Sequence, residues 1–313
     1  MTGARWAWGV LGLACIAGAP PQAPALREIT VTVPVIVTTD TGEVVTNLTR
    51  DDFTIDADGR RREIASFSKG DAPLALALLI DRSASMQVPD LEAAITKPFI
   101  QSVKSADRVR IGTFADRVIL TGPSPGTRHD VHALVDAAFA PLGTDPSPIW
   151  DAVDEAVAAL SSEPLRRAII LVTDGKSTAN VRSLEEVVQH AVVEQVSVTV
   201  VDEGTQMQIR QVGPTVARVH PEAALEWMAL TTGGLYLPDG PARSSARGQQ
   251  VEERGRKVEK REPQPLLANA VAALHAPCLI GLSVPADGKF HSLAISVTRP
   301  LLTVSAPTIY LAR

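Results

Sequence analysis

Leu74-Ala75-Leu76-Ala77-Leu78-Leu79-Ile80-Asp81-Arg82-Ser83-Ala84-Ser85-Met86 decides the fold. From Leu74 to Ile80 the run is apolar without a break, as in a strand buried on both faces inside a parallel sheet. It stops on Asp81, and Ser83 and Ser85 follow at two-residue spacing, a D-x-S-x-S pattern. Open α/β sheets take ligands in the crevice outside the carboxyl ends of their strands. One carboxylate and two hydroxyls placed there form a hard, all-oxygen cluster, the donor chemistry that suits a divalent cation such as Mg²⁺.

Outward from that strand, 74–237 alternates between strands and helices. Helical spacing marks 89–104, 129–140, 149–161, 183–195 and 221–230. Strands are expected at 109–114, 118–120, 167–172, 196–201 and 234–237. Such alternation predicts a doubly wound α/β domain, a mostly parallel sheet with helices on both faces. With a further helix at 266–274 it spans about 70–276. Its second fully apolar strand, Ala168 to Val172, ends in Thr173-Asp174-Gly175 and delivers another carboxylate to the same sheet edge. Between the two strands, Gly143-Thr144-Asp145-Pro146-Ser147-Pro148-Ile149-Trp150-Asp151 is a Pro-rich loop entering a helix, with hydroxyls at Thr144 and Ser147. Three loops thus place Asp81, Ser83, Ser85, Asp174 and one loop hydroxyl at one edge.

The flanks read differently. Residues 27–69 are β-rich, with period-two alternation over Ile29–Val37 and a hairpin signal at Ala57-Asp58-Gly59 between strands at 52–55 and 62–67. Residues 277–313 supply strands at 278–284, 292–297 and 301–304, with Asp287-Gly288 turning between the first two. Neither flank has enough strands to stand alone, so the two are expected to pair as one small β-sandwich-like module. The stretch 239–264, rich in mixed charges and poor in apolar residues, is expected to be a flexible charged insert.

The 313 residues are 45% hydrophobic and 21% charged, enough for a large core, and the net charge of −5 argues against nucleic acid as a partner. Residues 1–26 read as an export signal with a Pro/Ala-rich leader: Arg5, then apolar Trp6–Ala17, then Ala17-Gly18-Ala19. A lipid anchor at Cys15 or an uncleaved membrane anchor are the lesser readings. No other segment approaches the ~20 apolar residues of a transmembrane span, so the mature chain is expected to have none and to be secreted or periplasmic. Only Cys15 and Cys278 are present, which leaves a mature chain without an internal disulfide. Gly122-Pro123-Ser124-Pro125-Gly126 fits the nucleophile-elbow spacing on paper, but prolines on both sides of Ser124 suit a rigid loop.

Taken together, Asp81-Arg82-Ser83-Ala84-Ser85, Ser147-Pro148-Ile149-Trp150-Asp151-Ala152 and Thr173-Asp174-Gly175 resemble the von Willebrand factor type A domain with its metal-ion-dependent adhesion site. Asp81, Ser83, Ser85 and Asp174 match the family's metal-site positions. The family's usual Thr falls on Ser147, with Thr144 as the other candidate. The resemblance extends to the flanks, through Val31, Val33, Val35, Asp40, Gly42, Val45, Leu48, Asp52 and Phe53, and through a C-terminal hairpin over Leu279-Ile280-Gly281 and Asp287-Gly288-Lys289-Phe290-His291. There it is similar to exported bacterial proteins of the VWFA-related, acidobacterial type. The resemblance implies a site for Mg²⁺ (or Mn²⁺/Ca²⁺) whose open position is filled by a carboxylate of a protein partner, and hence an exported binding protein without catalytic residues. Two alternatives remain. One is a metal-dependent hydrolase, with Asp145 and Asp151 as the nearest bases. The other is a structural interaction module with a vestigial site, in which Asp81 is a helix cap and the serines are loop residues.

Overall fold

The computed structural model describes residues 27–86, 90–203, 208–212, 215–219, 221–238 and 263–313; the expected export segment and most of the expected charged insert lie outside these. The chain opens with β1 (Glu28–Thr39), β2 (Phe53–Ala57), β3 (Arg60–Arg62) and β4 (Ile64–Lys69). The central part begins β5 (Leu74–Asp81), α1 (Leu91–Ser102), β6 (Arg108–Phe114), β7 (Val118–Leu120), β8 (Ser124–Pro125) and α2 (Arg128–Ala138). It continues through α3 (Ile149–Leu160), β9 (Arg166–Thr173), α4 (Leu184–Val193), β10 (Val196–Asp202), β11 (Gln208–Val212) and β12 (Thr215–Val219), then α5 (Pro221–Thr232), β13 (Tyr236–Pro238) and α6 (Pro263–His275). Last come β14 (Cys278–Pro285), β15 (Phe290–Val297), β16 (Leu302–Ser305) and β17 (Ile309–Leu311).

The central sheet has the order β13-β10-β9-β5-β6-β7, with β8 also on β6. Pairing is parallel from β13 to β6 and antiparallel only for β7 and β8. Every residue of β5 is buried. Leu74, Leu76, Leu78 and Ile80 pack with residues of α1, α2 and α6, while Ala75, Ala77 and Leu79 pack with those of α3, α4 and α5. The doubly wound domain expected from the apolar run is therefore present, with three helices on each face among the described residues. Each fully buried Leu or Ile contributes about 1.5–3 kcal/mol, so β5 anchors both cores at once. Ser124 lies in the β8 bridge opposite Val109, not in a strand–helix elbow. Among the described residues no helix is long and apolar enough to cross a membrane.

Strands of the two flanks interleave in two four-stranded sheets, β16-β1-β14-β4 and β17-β15-β2-β3, around one core that includes Val33, Val35, Ile55, Ile280, Leu282 and Tyr310. Asp58 and Gly59 both have positive φ, 51° and 70°, the geometry of the hairpin turn joining β2 to β3. Two expectations are corrected. The single strand expected at 62–67 breaks at Glu63: β3 pairs with β2, whereas β4 pairs with β14 in the other sheet. Nor do 278–297 form a hairpin, because the chain turns a corner at Asp287-Gly288 from one sheet to the other, and β15 pairs with β2 and β17. The β11–β12 ribbon was not expected at all; it joins no other strand among those described.

The corner is held by His291, which donates from Nδ1 to Asp58 at 2.7 Å and from Nε2 to Asp287 at 3.0 Å while stacking on Tyr310 at 5.3 Å. Both ring nitrogens face carboxylates, which favours the protonated imidazole. The hydrogen bond to Asp287, then that to Asp58, raises the His291 pKa, and the bonds from His291 lower those of both aspartates. A raised histidine contributes below its unfolded value and loses that contribution as pH rises through its folded value. Lowered carboxylates contribute above theirs and lose it as pH falls through the folded values. The bridge is thus complete between the carboxylate range and a point above the ordinary histidine value of about 6.5. Wild type should lose more melting temperature between pH 6 and 9 than His291→Gln does; parallel profiles would show that the bridge carries nothing.

Both chain crossings between module and central domain converge on Asp107. Gly70 N donates to Pro277 O at 2.8 Å, laying the two crossings side by side. The Asp107 carboxylate accepts from Leu74 N at 2.9 Å, Lys104 N at 2.7 Å and His275 Nε2 at 3.0 Å. It therefore ties the first residue of β5 to the last residue of α6. Close packing continues at Gly234, where a Cβ would lie 2.1 Å from Val198 O and where Ser305 of the module donates to the glycine carbonyl.

Candidate metal centre

Asp81 closes β5 at the carboxyl edge and is 0% exposed. Its Oδ1 accepts Ser83 N at 2.9 Å, the local turn that a carboxylate two residues before a backbone N–H favours. Its Oδ2 accepts the hydroxyls of Thr173 at 2.7 Å and Ser147 at 3.1 Å. One carboxylate thereby gathers three separate strand ends and loops. Ser83 Oγ and Ser85 Oγ lie 3.1 Å apart on the same turn. Asp174, 5% exposed, follows β9 just as Asp81 follows β5, and its Oδ1 accepts Lys176 N at 3.1 Å.

The two loop hydroxyls are placed differently relative to Asp81. Ser147 is 2% exposed and turned onto Asp81. Thr144 is exposed, and it is its carbonyl that is engaged, accepting Ala84 N at 2.9 Å. Thr144 therefore braces the D-x-S-x-S turn through its backbone, and its hydroxyl is not among the gathered oxygens. Ser147 is held by a reciprocal pair: Ser147 N donates to Thr178 Oγ1 at 2.9 Å, and Thr178 N donates to Ser147 O at 2.7 Å. The loop after β9 is pinned further by Asn180, whose Oδ1 accepts Trp150 N at 2.8 Å. Asp151 adds to this by accepting the N–H groups of Val181 and Arg182. Asp151 is thus committed to backbone donors, and Asp145 is exposed.

Thr173 and Thr178, which brace Asp81 and Ser147, are the positions of this cluster that sequence reasoning missed. Thr173 donates to Asp81 while accepting Gly175 N at 3.1 Å. A Thr ending a strand is ordinary β chemistry, so only its place beside Asp174 could have marked it.

Burial, above all, raises the Asp81 pKa, and the nearby charge of Asp174 adds to it, against the hydrogen bonds from Ser83 and Thr173. Among the described residues Asp81 has no ion-pair partner, and Asp174 has only Lys176, at 3.7 Å. A buried anion whose ionised form is disfavoured, ringed by hydroxyls and facing a second carboxylate, is a donor set that a hard cation stabilises. The residues present fit a divalent metal: Asp81, Ser83, Ser85, Ser147 and Asp174 would hold it, with Thr173 orienting Asp81. Its chemistry, when bound, is that of a Lewis acid able to accept one further oxygen ligand.

The sequence model of the von Willebrand factor type A domain matches residues 75–226, from β5 into α5. No curated protein sequence matches the chain. Among solved structures, the conserved hypothetical protein BatB from Bacteroides thetaiotaomicron is 16% identical over 64% of this chain and 98% of its own, with a TM-score of 0.42. A von Willebrand factor type A protein from Catenulispora acidiphila is 12% identical over 93% of this chain and 64% of its own, at 0.46. Proximal thread matrix protein 1 from the mussel byssus, in a structure with a zinc-occupied MIDAS motif, is 14% identical over 68% of this chain and 49% of its own, at 0.48.

Proposed function

Residues 75–226 form a von Willebrand factor type A domain, and on that premise we propose that the protein is an exported binding protein, not an enzyme, that captures an acidic group of a protein partner through a divalent cation. The observation that carries this reading is the Asp81 carboxylate, buried and hydrogen-bonded to Ser147 and Thr173 from two other segments. Neutral hydroxyls in the donor set leave a bound cation electron-poor, which favours an incoming carboxylate as the completing ligand. Mg²⁺ is the proposed ion, with Mn²⁺ and Ca²⁺ sharing its preference for oxygen. Binding rather than turnover is favoured because Asp151, the acid next to the Ser147 loop, is engaged by Val181 and Arg182. The exported setting rests on the charged, apolar and small-residue order of Arg5 to Ala19.

Calorimetric titration with Mg²⁺ and Mn²⁺ tests the site. Ser147→Ala should weaken metal binding about ten-fold or more, and Thr144→Ala should leave it within about two-fold, since the Thr144 carbonyl is unchanged. The opposite order would assign the hydroxyl to Thr144. Retention of exported proteins on the immobilised chain should vanish with chelator, and a panel of esters and phosphoesters should not be turned over. Chelator-insensitive capture or metal-dependent hydrolysis would sink the reading.

A further inference from the structure

Lys176 contacts the metal-site carboxylate twice. Its backbone N–H donates to Asp174 Oδ1, and its Nζ lies 3.7 Å from Asp174 Oδ2. Local geometry explains the fold-back. Gly175 has φ of 77°, a conformation that suits glycine, and it reverses the chain directly after β9. The residue two past Asp174 is thereby returned over its carboxylate. The Asp174 side chain is 7% exposed and that of Lys176 34%, so the ammonium caps a nearly buried anion from the solvent side. Among the described residues no other cation pairs with Asp174, and none pairs with Asp81. Both carboxylates stand at the ends of β9 and β5, which are neighbours in the sheet.

We propose that Lys176 is a built-in counter-ion of the metal centre: its ammonium neutralises Asp174 in the metal-free protein and must leave that carboxylate when a divalent cation binds. The inference rests on the metal-binding reading above. A dication held by the Asp81–Asp174 edge repels an ammonium at ion-pair distance from Asp174. Lys176 has a flexible four-carbon stem and a strongly hydrated head, so it swings into solvent at low cost once Asp174 is otherwise neutralised. Site occupancy then reflects a competition between cation and lysine, and the metal-free fold is spared a bare carboxylate pair.

The test is a calorimetric titration of Mn²⁺ and Mg²⁺ into wild type, Lys176→Met and Lys176→Arg. Lys176→Met should bind metal about two- to five-fold more tightly, the size expected for a partly exposed ion pair. Lys176→Arg should stay near wild type, and the gap should narrow as salt is raised. A second measurement uses only the wild-type chain: acylation of Lys176 by an amine-reactive ester, read by peptide mass spectrometry, should increase when Mg²⁺ is added. Equal or weaker metal affinity in Lys176→Met, or labelling that Mg²⁺ does not change, overturns the counter-ion role while leaving the metal site standing. Absence of metal binding by both wild type and Lys176→Met overturns the metal reading itself.

Discussion

Asp81→Asn should abolish metal binding, a loss of at least about 100-fold, and raise the melting temperature of the metal-free protein by about 2–4 °C. The two effects have one cause. Asp81 is fully buried, burial raises its pKa, and the charge of Asp174 adds to the same shift. The ionised form therefore costs free energy that only a cation returns. An amide keeps the oxygen that accepts Ser83 N, and its NH₂ group faces the hydroxyls of Thr173 and Ser147, which rotate to accept. The neutral side chain is thus accommodated without the charge. Because the folded pKa of Asp81 lies above its unfolded value, the folded state holds the proton more tightly. Wild-type stability from this group then falls as pH rises through that interval. The advantage of the variant should accordingly be full above the folded pKa and disappear below the unfolded one, near 3.9. Saturating metal should reverse the order, since ligand at 100 times its dissociation constant stabilises wild type by about 2.7 kcal/mol. Thermal melts with chelator and with Mg²⁺, at pH 4 and 7.5, read all of this. A variant less stable than wild type under chelator, or one that still binds metal, would refute the account.

How much of this was legible beforehand depends on whether the determinant is local. Asp81, Ser83 and Ser85 sit within five residues at the end of one apolar strand, and Asp174 repeats the placement one strand away, so burial pattern and spacing sufficed. The resemblance put Ser147 ahead of Thr144, but the seating of the Ser147 hydroxyl on Asp81 was not legible. It follows from the reciprocal hydrogen bonds between Ser147 and Thr178 and from the way Gly143 N is held by Asp116, contacts between segments about 30 residues apart. The flanks show the same division. Alternation announced β1, and Asp58-Gly59 announced the hairpin between β2 and β3. Asp287-Gly288 carries an equal turn signal, yet there the chain changes sheets. A turn dipeptide specifies local reversal; which sheet receives the next strand is decided by the core that includes Leu282, Leu293 and Tyr310. The β11–β12 ribbon was missed because its strands, Gln208–Val212 and Thr215–Val219, lack a sustained apolar face.

The least legible determinant should have the largest effect on stability. Asp107→Ala is expected to destabilise the protein by about 3–5 kcal/mol, since each of several buried donors left unsatisfied costs about 1–3 kcal/mol. Asp107 and His275 stand 168 residues apart, so no spacing rule links them. His275 Nδ1 lies 3.0 Å from Val271 O and Nε2 lies 3.0 Å from the Asp107 carboxylate, so the ring bridges α6 and that carboxylate. Burial alone would raise the Asp107 pKa, but the hydrogen bonds from His275, Leu74 N and Lys104 N, with the histidine charge, carry it below the usual range. A lowered carboxylate contributes above its unfolded pKa and loses that contribution as pH falls through the folded one. The penalty of the substitution should therefore be full at pH 7 and shrink on acidification below about pH 4. Truncation would orphan two backbone donors as well as the His275 ring nitrogen, at the point where β4 passes into β5 and α6 into β14. Against a typical total of 5–15 kcal/mol, that loss is enough to loosen the module from the domain. His275→Gln should cost less, because its amide offers a replacement donor while Leu74 N and Lys104 N remain satisfied. Urea denaturation at pH 7 decides the matter: a loss below about 1 kcal/mol for Asp107→Ala would show that the two crossings are held by packing alone.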